Sequence, residues 1–99
     1  MFAASFAFTP NNTNGDFKAL DDEIMAFTES IEGYLGKKKW VSPDGKQINV
    51  VYYFETKDAL HTLRTNPTHR IAKQRNREWY DDYRVEIYEV ISQYRGLQK

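Results

Sequence analysis

The chain of 99 residues contains no cysteine. That excludes disulfides, iron–sulfur clusters, thiolate metal sites and a cysteine nucleophile, and it fits a reducing, cytoplasmic setting. Histidine is scarce, at two residues. Two histidines are a poor prospect for a dedicated metal site, and none is expected. An excess of one charge is also lacking, since 14 Lys and Arg balance 14 Asp and Glu. No net field favours nucleic acid or an anionic membrane surface, and little repulsion opposes self-association. Long apolar runs are missing too, and none approaches the ~20 residues of a membrane span. Met1 to Phe8 is apolar but lacks the basic start and the length of a signal segment, so it reads as a strand. There are no repeats, linkers, or flavin or nicotinamide motifs. Aromatic side chains are plentiful, at 15%, and must line a core, a pocket or an interface. A chain of this length makes one domain, residues 1–99, with a modest core.

Local chemistry gives an ordered set of elements. A strand over Phe2 to Thr9 leads into a loop of turn residues from Pro10 to Gly15. Asp16 can cap a helix from Phe17 to about Ser30, with an apolar stripe of Phe17, Leu20, Ile24, Phe27 and Ile31 and charges opposite. Gly33 ends it. Tyr34 to Ser42 and Lys46 to Glu55 form a hairpin closed by Ser42-Pro43-Asp44-Gly45. Thr56 can cap a short helix over Lys57 to Thr65, with Leu60 and Leu63 inward. Asn66 and Pro67 then suit the start of another helix. Arg84 to Tyr94 is the last strand. The order β-α-β-β-α(α)-β is the split arrangement of the ferredoxin-like α+β class, with a four-stranded antiparallel sheet and helices on one face. Ile48, Val50, Tyr52 and Phe54 make one face of the third strand. Val51 and Tyr53 leave the other face only partly polar. A sheet covered on one side should alternate more cleanly. A second copy of the chain is the simplest cover, which predicts a homodimer with its sheets face to face.

The candidate site residues cluster late. Counted from His69 at helical spacing, Ala72, Asn76, Trp79 and Tyr83 share a face, so an imidazole, an indole and a phenol can look into one space. His69 is either the candidate catalytic base, a role that an imidazole with an ordinary pKa near 6.5 suits, or a histidine of the first helical turn that bonds a loop or faces solvent. Trp79, Tyr80 and Tyr83 are either a stacking wall or a plug where helix meets sheet. Tyr52 and Phe54 are assigned to the pocket face of their strand, and Tyr53 and Asn49 to the other. His61 reads as a surface residue. Lys37, Lys38 and Lys39 alternate faces on a strand and therefore make no single basic surface. Arg70, Lys73, Arg75 and Arg77, with Glu78 and Asp81 nearby, read as a solvated helix face.

Several stretches together resemble the antibiotic biosynthesis monooxygenase-like family of dimeric α+β barrels. They are Ile31-Glu32-Gly33-Tyr34-Leu35-Gly36, the hairpin, Tyr53-Phe54-Glu55 before the short helix, Asn66-Pro67-Thr68-His69-Arg70, and the Trp79-Tyr80-x-x-Tyr83 cluster. Glu32 stands where the family often has proline, Asn76 where it often has glycine, and Leu63 where an aromatic residue is common. The resemblance implies a small aromatic ligand between the sheet and the helices of each subunit. Haem-degrading relatives use a histidine six residues past the proline, where this chain has Lys73, and a tryptophan where it has Leu63. The implied activity is therefore a cofactor-independent monooxygenase acting on a small aromatic or quinol-type substrate. His69 would be its base, and Tyr52, Phe54, Asn76, Trp79 and Tyr83 would contact substrate. The alternative is a non-catalytic homodimeric module that binds or senses a small ligand.

Overall fold

The computed structural model describes residues 1–11, 15–66, 75, 79–94 and 96, with the side chains of residues 15–17 left aside. The Pro67 helix, His69, Asn76 and the capping side chain of Asp16 lie outside the described residues. The elements are β1 (Phe2–Pro10), α1 (Gly15–Ser30), β2 (Tyr34–Val41), β3 (Ile48–Phe54), α2 (Lys57–Arg64) and β4 (Tyr80–Glu89). The four strands form one antiparallel sheet in the order β2-β3-β1-β4. This is the ferredoxin-like α+β arrangement expected from the order of elements.

Register follows from side-chain alternation. Phe2 pairs with Phe54, Ala4 with Tyr52, Phe6 with Val50 and Phe8 with Ile48. These residues share the face toward the helices. Phe54, Ala59, Leu60 and Leu63 form the buried centre, with Phe2, Ile24, Ile31, Tyr34 and Tyr52 packed against it. Both helices therefore lie on this face, and no described helix covers the other.

Two local devices fix the connections. Gly33 has φ +95°, and a Cβ there would meet the Ala59 Cβ at 3.2 Å. Its carbonyl accepts the Glu55 N–H at 2.7 Å, tying the end of α1 to the start of α2. Thr56 caps α2 as expected, its hydroxyl oxygen accepting the Ala59 N–H at 3.1 Å. In the hairpin, the Asp44 carboxylate accepts from the Ser42 hydroxyl and the Lys46 N–H. Those bonds lower the Asp44 pKa.

One expectation is corrected. The last strand runs over Tyr80–Glu89, not Arg84 to Tyr94, and Tyr83 belongs to it rather than to a helix. The reason is pairing with β1. Tyr83 sits opposite Phe8, and Tyr80 opposite Pro10 beyond a register shift at Thr9/Pro10. At the far end the Val90 N–H bonds the Met1 carbonyl at 2.8 Å, where β1 itself runs out. Beyond that point Ile91 and Tyr94 are exposed.

Candidate functional site

A cavity of about 510 Å³ lies between the sheet and the helices. The sheet supplies its floor with Ala4 and Phe6 from β1, Tyr52 from β3, and Tyr83, Val85 and Ile87 from β4. The pairings of Ala4 with Tyr52 and Ile87, and of Phe6 with Val85, put these side chains side by side on one face. Its size falls in the range of about 300–1,000 Å³ typical of small-molecule sites.

The aromatic wall is a contiguous cluster. Phe6 meets Tyr80 edge-on with ring centroids 5.4 Å apart, and Tyr83 lies 6.1 Å from Phe6. Phe8 stacks on Phe6 at 4.8 Å and backs Tyr80 at 5.0 Å. Such rings present both flat faces and polar edges to a ligand.

Opposite the sheet, α1 contributes Asp21, Ile24 and Thr28, and α2 contributes Leu60, Leu63 and Arg64. Asp21, Ile24 and Thr28 are spaced by three and four residues and so line up along one side of α1. Thr28 is fully buried, and its hydroxyl is satisfied by donating to the Ile24 carbonyl at 2.7 Å. Asp21 is exposed and stands at the rim.

The electrostatics of the site centre on Asp21. Desolvation raises its pKa, and Asp22 adds to the rise, although Lys37 and Lys39 of β2 pull the other way. Burial, with the nearby Asp21 charge in second place, pushes the Tyr80 phenol up to about 12. The same two causes lead for Tyr52, which is also raised. Both phenols therefore stay neutral throughout the physiological range. Lys37 leans back along α1, its Nζ 3.2 Å from the Met25 sulfur.

The site residues proposed from sequence divide into three groups. Tyr52 and Tyr83 line the cavity. Phe54 and Trp79 are almost completely buried and are not among the described lining residues. Phe54 packs under α2 because its position on β3 lies directly beneath Ala59 and Leu63. Trp79 holds the β1–β4 corner, its carbonyl accepting the Asn11 N–H at 2.6 Å and its ring lying 4.8 Å from the Arg75 guanidinium. His69 and Asn76 fall outside the described residues. Sequence reasoning did not single out Asp21, Phe6 or Arg64. Asp21 was hidden because it was counted with the charged face of its helix. Its spacing from Ile24 and Thr28 puts it on their side of the helix, but only the packing of α1 on the sheet turns that side toward a cavity. His61 is exposed on α2, and among the described residues no group of three or more His, Cys, Asp or Glu side chains could hold a metal ion. None of the described helices is long and apolar enough to cross a membrane.

The same architecture recurs in solved structures. Rv0793 from Mycobacterium tuberculosis superposes with a TM-score of 0.76 at 18% identity, covering 93% of this chain and 96% of that one. The cofactor-independent oxygenase SnoaB from Streptomyces nogalater, in a mutant form, gives 0.74 at 12% identity, over 93% and 94% of the two chains. A candidate antibiotic biosynthesis monooxygenase from Deinococcus radiodurans gives 0.72 at 14%, over 99% and 100%. The chain has the fold of the antibiotic biosynthesis monooxygenase-like proteins. The resemblance read from its sequence is borne out at this level. By sequence it is 25% identical over 93 residues to the uncharacterized protein YqjZ of Bacillus subtilis, covering 93% of this chain and 81% of that protein. No family model matches the sequence.

Proposed function

We propose that the protein is a cofactor-independent monooxygenase of the antibiotic biosynthesis type, acting on a small aromatic or quinol-type substrate. The observation that carries this reading is the 510 Å³ cavity between sheet and helices, lined on the sheet side by aromatic and aliphatic side chains. Its support from comparison is the shared fold with a cofactor-independent oxygenase.

In this reading the flat substrate lies against Phe6, Tyr52 and Tyr83. Loss of a hydroxyl proton leaves the electron pair on the substrate oxygen. The electron-rich anion is then the reductant and dioxygen the oxidant: one oxygen atom bonds to a ring carbon, the substrate gives up two hydrogens in all, and the second oxygen atom takes them and leaves as water. A substrate filling the cavity displaces water from around the anion. His69 is the proposed proton acceptor, with Asn76, Trp79 and Phe54 completing or supporting the site. The working unit is a homodimer. Its proposed seam is the face of the sheet that no described helix covers, where Val51, Tyr53, Trp40 and Tyr88 lie and where Trp40 and Tyr88 are about half exposed. Lys38 covers one Tyr53 ring there, with its Nζ 5.5 Å from the centroid.

An oxygen electrode tests the activity. A panel of anthrones and naphthoquinols should give protein-dependent oxygen uptake, and His69→Ala should lower the rate by about 10²–10⁴-fold while the chain stays folded. Ligand binding with no oxygen uptake across the panel would overturn the monooxygenase reading in favour of a binding module.

A further inference from the structure

Asp21 is placed where a donor-bearing ligand edge would meet it. It shares one line of α1 with Ile24 and Thr28, and all three face the cavity. Tyr52 and Tyr80 bring two phenols to the cavity, close enough to feel the Asp21 charge. The surrounding wall is apolar, formed by Phe6, Val85, Ile87 and Leu60. A carboxylate is an acceptor only, with no proton to give at neutral pH. We infer that Asp21 is the specificity-determining acceptor of the cavity, binding the free hydroxyl of a planar aromatic ligand through a charge-assisted hydrogen bond. The inference rests on the proposed aromatic-ligand reading and narrows it to ligands that carry a hydrogen-bond donor on the ring.

The physical argument is one of desolvation. A ligand that closes over the rim strips water from the carboxylate. A hydroxyl replaces that water with a strong hydrogen bond. A methyl ether of the same shape offers no donor and leaves the carboxylate unpaired, so discrimination comes from a penalty as well as a gain. Other charged and titratable groups lie around Asp21 on the described elements. Lys37 and Lys39 approach from β2, Asp22 from its own helix, Tyr52 and Tyr80 from β3 and β4, and Arg64 lines the cavity from α2. The lysines favour the ionised form of the carboxylate, the one that only accepts. Desolvation works against them and raises its pKa.

The test compares 1-naphthol with 1-methoxynaphthalene by equilibrium dialysis at neutral pH, on the full chain and on Asp21→Leu and Asp21→Asn. The expected result is that the parent protein prefers the naphthol by ten-fold or more. Asp21→Leu should erase that preference and Asp21→Asn should reduce it. Asp21 is not part of the buried core, so both variants should keep the far-ultraviolet circular dichroism of the parent. Equal binding of the two probes by the parent overturns the inference. So does a preference that survives in Asp21→Leu. Binding of neither probe overturns the aromatic pocket and this inference together. A naphthol preference lost in Asp21→Leu, with no oxygen uptake on any substrate, sustains the inference while the monooxygenase reading fails.

Discussion

At the scale of single residues, Asp21 sets binding against stability. Its pKa in the folded protein is raised above the ordinary value of 3.8, so folding disfavours its ionised form. The cost is present in full above the folded pKa and vanishes as pH falls below the unfolded value. Asp21→Asn should therefore raise the melting temperature at pH 7, and the gain should shrink as pH is lowered through the carboxylate range. Thermal denaturation at stepped pH measures this. A variant less stable than the parent at pH 7 would contradict it. Gly33 is constrained in a different way. At φ +95°, with Ala59 3.2 Å from any added Cβ, Gly33→Ala should cost about 1–3 kcal/mol, read from urea unfolding.

At the scale of elements, α2 is short, at 8 residues, too short to persist on propensity alone. Its cap and its buried face hold it. Thr56→Ala removes the side-chain acceptor for the Ala59 N–H and should cost about 1 kcal/mol. Phe54, fully buried beneath α2, is a larger case. Phe54→Ala should cost about 3–5 kcal/mol by loss of burial and creation of a cavity. Chemical denaturation of the two variants should rank them in that order. The strands show why boundaries were harder to read than elements. Trp79, Tyr80 and Tyr83 fit a helical period, while Tyr83 also opens the alternation Tyr83, Val85, Ile87. Pairing with β1 decided between them by giving Tyr80 and Tyr83 partners in Pro10 and Phe8.

At the scale of the whole molecule, the sheet face that no described helix covers is the feature that bears on assembly. Val51 and Tyr53 alternate outward from β3, opposite Ser5 and Ala3 of β1. If two copies join there, Val51→Glu should place two carboxylates in a dry seam and yield a monomer, seen as a halved mass by light scattering after gel filtration. The side chain points away from the helices, so the monomer should keep its secondary structure. An unchanged mass would move the seam elsewhere.

The order of elements, the hairpin, the Thr56 cap and the inward positions Leu60 and Leu63 were legible in the sequence, because each rests on contacts within a few residues or on a short period. The faces of β3 were legible for the same reason, since alternation needs no knowledge of neighbours. Tertiary structure alone decided which aromatic residues wall the cavity and which fill the core. Tyr52 and Phe54 share a face of one strand, yet α2 sits over Phe54 and leaves Tyr52 beside open space. It alone also revealed Asp21. A carboxylate on the shoulder of an amphipathic helix faces solvent or cavity according to how the helix rolls on the sheet, and that roll is set by packing among residues distant in sequence.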